Sequence, residues 1–299
     1  MGRAVPLPRT VARGPRLLPD RTVRHRRRPA ARPAAIPAPA RAPGPAVSPS
    51  EVLTLALAAQ WPRGRSERAC WRYAGRHLRP LFPALGGRSR LNRRIRAAEP
   101  LLRALHRALA GTPADAAAVS RVPDTTLIPA LRRVRACRHG LFAGQASFGR
   151  CASKAEWASG FKVALAVRRA GLSTAFGLAP AACDERPIGA ALVAADRSDT
   201  YPADKGYAGA APARRRWDPA VVTVIATPPR PYRRAAGKRQ VVEQAIGQLK
   251  DSFAPALHRA KTLSGLLARL AAKVLAFTCA EYLDARPGRP LRHVADLVI

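Results

Sequence analysis

Carboxylates are scarce in this chain. Its 299 residues carry 18 Asp and Glu against 53 Lys and Arg, a formal charge of +35 at pH 7. Self-repulsion of that size opposes a compact state unless polyanions or counterions neutralise it, so nucleic acid is the expected partner. The cations are mostly Arg, whose planar fork grips phosphate bidentately where Lys acts as a point charge. Cysteine is sparse too: Cys70, Cys137, Cys151, Cys183 and Cys279, with no Cys-x-x-Cys pair and an odd count. With no hydrophobic signal segment, this usage predicts reduced, cytosolic thiols. Cys137, His139 and Cys151 lack a fourth ligand at sensible spacing, which argues against zinc. No apolar run reads as long enough to span a bilayer, the longest being broken by Arg or Lys, so no membrane partner is expected.

What is present comes in four textures. Residues 1–47 alternate Pro, Arg and Ala with Asp20 as the lone acid, a composition that predicts a disordered basic tail. Residues 48–112 predict a small all-α domain. Ser48 or Ser50 can cap a first helix and Ser66 a second, and a third segment runs from Ser89 to Leu109 with Pro100 ending or kinking its first half. Arginine studs all three, and Arg90, Asn92, Arg93 and Arg94 on the third are the candidates to enter a DNA groove. The plainer alternative is a packing domain with arginine on its wet side.

Residues 113–285 change to short β-branched runs. Strands are expected over 122–129 with Asp124 near the start, over 160–167 and over 172–178, making an antiparallel meander; a Gly-rich loop with Gly140, Gly144 and Gly149 separates the first two. A helix opening at Asp184 follows, then a fourth short strand ending at Asp204, a fifth over 221–226, and two helices over 237–250 and about 262–283. The sum is an α/β domain with a mixed five-stranded sheet and helices on both faces, followed by a tail at 286–299.

In the helix over 237–250, Val241, Ala245 and Leu249, with Val242 and Ile246, recur at helical spacing, and Arg239, Glu243 and Lys250 share another face. Alone, such a face reads as solvated and salt-bridged. In chain order, however, acids stand at the start of strand one (Asp124), the end of strand four (Asp204) and on this helix (Glu243). Three carboxylates without a plausible His or Cys nucleophile suggest a hard divalent metal; Mg²⁺ prefers oxygen donors, and a pair of ions about 3.5–4 Å apart can promote in-line phosphoryl transfer. Asp184, Asp196 and Asp199 are alternative second ligands.

Three motifs carry a family resemblance. Pro123-Asp124-Thr125-Thr126-Leu127-Ile128-Pro129, Ala203-Asp204-Lys205-Gly206-Tyr207, and the Arg239, Glu243, Lys250 spacing resemble the first-aspartate strand, the second-aspartate turn and the Tyr-Arg-Glu-Lys signature of DDE transposases of bacterial insertion sequences. Ala236 stands where that signature has its Tyr. The resemblance covers about residues 48–285 and implies a ribonuclease H-like catalytic domain with Asp124, Asp204 and Glu243 as catalytic metal ligands for two Mg²⁺ ions, Mn²⁺ substituting. It also implies Arg239 and Lys250 on DNA, terminal inverted repeats and target DNA as partners, a homodimer in the DNA complex, and a nucleoid-associated place in the bacterial cytoplasm. A catalytically inactive, decayed transposase that only binds DNA is the alternative, and a structural RNA-binding protein a third.

Overall fold

The computed structural model describes residues 47–61, 66–111, 121–151, 156–168, 170–196, 200–203, 215–218, 222–226 and 233–284. The expected basic tail, apart from Val47, lies outside these described residues, as do Asp204, Asp199 and the tail at 286–299.

Four helices lead: α1 (Pro49–Ala58), α2 (Glu67–His77), α3 (Arg88–Ala97) and α4 (Glu99–Ala110). Ser48 closes a capping box on α1. Its Oγ accepts the Glu51 N–H at 3.2 Å, and the Glu51 carboxylate accepts the Ser48 N–H at 2.5 Å. Two donors that the helix cannot satisfy internally are thereby paired. Ser48→Ala should lower stability by about 1 kcal/mol, seen as a shift of the urea midpoint at constant slope. Ser66 caps α2 through the Ala69 N–H at 3.1 Å. The single segment expected between Ser89 and Leu109 is two helices. Ala98 ends α3, and Pro100 falls in the first turn of α4, where a missing N–H leaves no broken bond.

The described residues form seven strands in two sheets, correcting the expected five in one. β1 (Arg121–Arg132), β2 (Ser147–Cys151), β3 (Glu156–Arg168) and β4 (Ser173–Pro180) make an antiparallel sheet. A four-residue helix, α5 (Arg133–Ala136), follows β1. β1 runs along one edge of β3, and β2 and β4 share the other edge end to end. The expected meander is therefore present as β1, β3 and β4. β2 starts at Ser147, inside what the glycines suggested was only loop. β5 (Thr200–Ala203), β6 (Arg215–Asp218) and β7 (Val222–Ala226) form the second sheet, with β5 parallel and β6 antiparallel to β7. β5 packs beside β1.

Gly160 of β3 sits opposite Pro129, where the β1 register shifts, and a Cβ there would lie 2.3 Å from the Ile128 carbonyl oxygen. Backbone cannot swing aside like a flexible side chain. Gly160→Ala should therefore part the two strands and lower stability by about 2 kcal/mol, measurable by thermal melting.

Alternation sets Val122, Asp124, Thr126 and Ile128 on one face of β1, and Arg121, Pro123, Thr125 and Leu127 on the other. On the first face, Val122 and Ile128 join Val163, Leu165 and Val167 with α7 (Arg233–Phe253) and α8 (Leu263–Asp284) in one core. That core continues into the leading helices through Leu55, Leu91 and Leu102. On the second face, α6 (Glu185–Ala195) lays Ile188 and Leu192 on Ala164, Ala166 and Ala175. The chain is thus mixed α/β with helices on both faces of the larger sheet.

By length and composition α8 is apolar enough to cross a membrane, which corrects the expectation that no such run exists; 67% of that stretch is buried within the fold. It contacts α1, α3, α4, α7 and β4. Fully burying side chains such as Leu266, Leu270, Val274 and Phe277 stabilises by about 1.5–3 kcal/mol each.

Candidate active site on the β1–α7 face

Asp124 is the fourth residue of β1, half-buried, on the sheet face that α7 covers. Its Oδ1 accepts the Thr125 N–H at 2.7 Å, which fixes the carboxylate against the strand. α7 lies against β1, β3 and β5. Val241, Val242, Ala245, Ile246, Leu249 and Phe253 form its buried stripe, whereas Glu243 and Lys250 are exposed on its flank, about 100–120° round the helix from the middle of the stripe. Arg239 falls on the same helix, one turn before Glu243. β5 ends at Ala203, so the chain leaves a strand that touches both β1 and α7 one residue before Asp204. Asp124 and Glu243 thus belong to elements in direct contact. Among the described residues, which exclude Asp204, no three His, Cys, Asp or Glu side chains cluster tightly enough to hold a metal.

Two of the alternative second ligands, Asp184 and Asp196, are engaged elsewhere. Asp184 caps α6, accepting the Arg186 N–H at 2.9 Å, and the Arg186 guanidinium holds its carboxyl down to about 2. Asp196, at the other end of α6, accepts from Arg121 Nε at 2.9 Å. Both lie on the α6 side, away from the face that carries Asp124. Thr125 turns the same way, donating from Oγ1 to Glu185 at 2.9 Å.

On α3, Leu91 and Ile95 face the core, Arg90 and Arg93 are exposed, and Arg94 is half-buried. Asn92 has a tertiary partner: its amide donates to the Glu67 carboxylate of α2. That carboxylate also accepts from Arg269 of α8, at 2.7 Å from Nε and 3.1 Å from Nη2. Asn92 is therefore committed to a seam joining α2, α3 and α8. Sequence reasoning missed this seam and its cations. The available signal was the pair Arg269 and Lys273, one turn apart in an otherwise apolar helix.

A second buried polar group links α4, β4 and α8. His106 Nε2 lies 3.2 Å from Ser173 Oγ, and the Glu281 carboxylate accepts the Ser173 N–H at 3.1 Å. Serine, histidine and an acid suggest a hydrolytic triad, but Ser173 is fully buried and offers no nucleophile to a substrate. Burial first, then Arg103 and Arg107, pushes His106 down to about 4.

Compared with known proteins, the chain matches no family model, no curated protein and no solved structure.

Proposed function

We propose that this protein is a DDE-type DNA transposase of a bacterial insertion sequence, built on a ribonuclease H-like catalytic domain. The observation that carries the reading is the meeting of Asp124 on β1 with the Glu243 helix, beside the strand that leads into Asp204. β5 packed beside β1, the edge strand of the larger sheet, with α7 against both, supports the fold assignment. Oxygen donors alone make up the acidic set, which fits a hard divalent ion better than a thiophilic one.

Asp124, Asp204 and Glu243 would hold the ion, Mg²⁺ or Mn²⁺, which when bound neutralises phosphate charge and activates the attacking oxygen. The rest falls to the chain. Asp124 is steadied by the Thr125 N–H and Glu243 by the buried stripe beneath it, so both carboxylates sit on rigid elements. Arg239 and Lys250, flanking Glu243 along α7, grip phosphates next to the cleaved bond. Water cleaves one phosphodiester at each terminal repeat and frees a 3′-hydroxyl. That hydroxyl then attacks a target phosphodiester and displaces another 3′-hydroxyl, conserving the number of ester bonds. Two repeats brought together call for two copies of the protein.

The test is cleavage of the DNA flanking this gene by the full-length protein. Nicking at repeat ends with Mg²⁺ or Mn²⁺, absent in EDTA, is the expected result. Salt-dependent binding with no cleavage under any divalent metal would instead support the non-catalytic, DNA-binding reading.

A further inference from the structure

A cleft of about 290 Å³ opens between the leading helices, the α7–α8 corner and the first half of α8, and none of the three acids is among its described lining residues. Among the described residues its walls carry five cations, Arg68, Arg88, Arg259, Arg269 and Lys273, against one acid, Glu67. Glu67 is already spent, its two oxygens taken by Asn92 and by the Arg269 fork. Among the described residues no carboxylate pairs with Arg68, Arg88 or Arg259, all of which are exposed. Lys273 donates to the Phe253 carbonyl and pairs with no carboxylate among the described residues. Burial, reinforced by Arg269 and Arg259, drags its ammonium down to about 8, so the cleft holds positive charge at a cost that an anion would relieve.

The backbone adds a second indication. Between α7 and α8 the chain makes a 3-10 turn over Pro255–Leu257, with the left-handed non-glycine residue Ala254 (φ 43°) immediately before it and another, Arg259 (φ 50°), two residues after it. L side chains rarely adopt that conformation, and it costs energy the surroundings must offset. Here it holds Arg259 at the rim of the cleft.

We propose that this cleft binds a backbone phosphodiester of duplex DNA, clamped between Arg68 and Arg88 of the leading helices on one side and Arg259 of the α7–α8 corner with Lys273 of α8 on the other. A chain phosphate fits better than a free nucleotide, because no Phe, Tyr or Trp among the described lining residues could stack on a base. The cleft faces a polyanion from a protein of charge +35. It rests on the DNA-binding half of the reading above and not on the metal chemistry.

The test uses the full chain and a mixed-sequence 30-base-pair duplex in EDTA, so that binding is read without cleavage and stays independent of any transposase activity. The double variant Arg88→Gln with Arg259→Gln should weaken binding about tenfold at physiological salt and flatten the slope of log K against log salt by roughly 2. Arg68→Gln, beside Arg88 on the wall made by the leading helices, should flatten it by roughly 1. The control, Arg133→Gln with Arg135→Gln on exposed α5, removes the same charge from residues that do not line the cleft and should leave the slope within error. An equal loss in the control would overturn the site. So would ATP displacing the duplex from the protein with an affinity that the Arg88 and Arg259 changes abolish, since the cleft would then be a nucleotide site.

Discussion

Asp124→Asn and Glu243→Gln, each made alone, should cut metal-dependent cleavage of repeat DNA by about a thousandfold, the scale seen when one group that stabilises transition-state charge is removed. Both swaps keep size and shape. The Asn carbonyl can still accept the Thr125 N–H, and Glu243 is exposed, so thermal stability should change little. Each variant also gains one positive charge, so affinity for the same DNA in EDTA should hold or tighten slightly. The control is Asp196→Asn. It should leave cleavage intact but lower stability, because Arg121, buried on the α6 side, loses its charged acceptor. Full cleavage by Asp124→Asn would sink the ligand assignment. Loss in the Asp196 variant with retention in the other two would move the site to the opposite face of the sheet.

The second large effect is on stability in acid. His106 titrates at 6.5 when unfolded but only near pH 4 in the fold, where burial and then the Arg103 and Arg107 charges keep it neutral. The unfolded chain therefore binds the proton first. Stability from this residue is complete above pH 6.5, drains as pH falls through the window, and is gone below about 4. A gap of about 2.5 pH units corresponds to about 3 kcal/mol. Groups packed around the ring include Ser173, Phe176 and, more distantly, Asp196, whose charge acts in the opposite sense. His258, also buried and lowered, adds to the same trend. Urea midpoints measured from pH 7 to 4 on wild type and His106→Gln isolate the contribution. The variant keeps a polar contact for Ser173 but cannot titrate, so its pH dependence should be about 3 kcal/mol shallower. Identical slopes in the two proteins would show that His106 is not the sensor.

Local chemistry was readable from sequence wherever a residue acts on its own neighbours. Ser48 and Ser66 cap the helices they were expected to cap, Asp184 caps α6, and the apolar stripe of α7 is buried as its spacing predicted. Strand β1 announced itself through a β-branched run bounded by prolines, and β3 and β4 through short apolar runs that follow glycines. What could not be read depends on partners far along the chain. β2 is only Ser-Phe-Gly-Arg-Cys, with too little alternation to signal a strand, and its Gly149 earns its place by tertiary contact: a Cβ there would sit 2.7 Å from the Ala181 Cβ. Asn92, set among arginines, reads as a base-contacting residue until Glu67, 25 positions earlier, claims its amide. The acids of the candidate site fall between these cases. Their order is visible in sequence, and their faces depend on strand register: Asp124 points with Val122 and Ile128 toward α7, while Thr125 and Arg121 point toward α6.

One consequence concerns mechanics. α8 is gripped on one flank by the leading helices and on another by α7 and the sheet, and all of these share one unbroken core. Among the described residues the leading helices and the helices over the sheet are joined by packed side chains, so a part that would hold DNA could shift against a part that would cut it only by breaking that core. In a protein of this build the strain of aligning substrate must fall on the duplex. Sequences that kink easily, such as pyrimidine–purine steps, should be favoured at the cut.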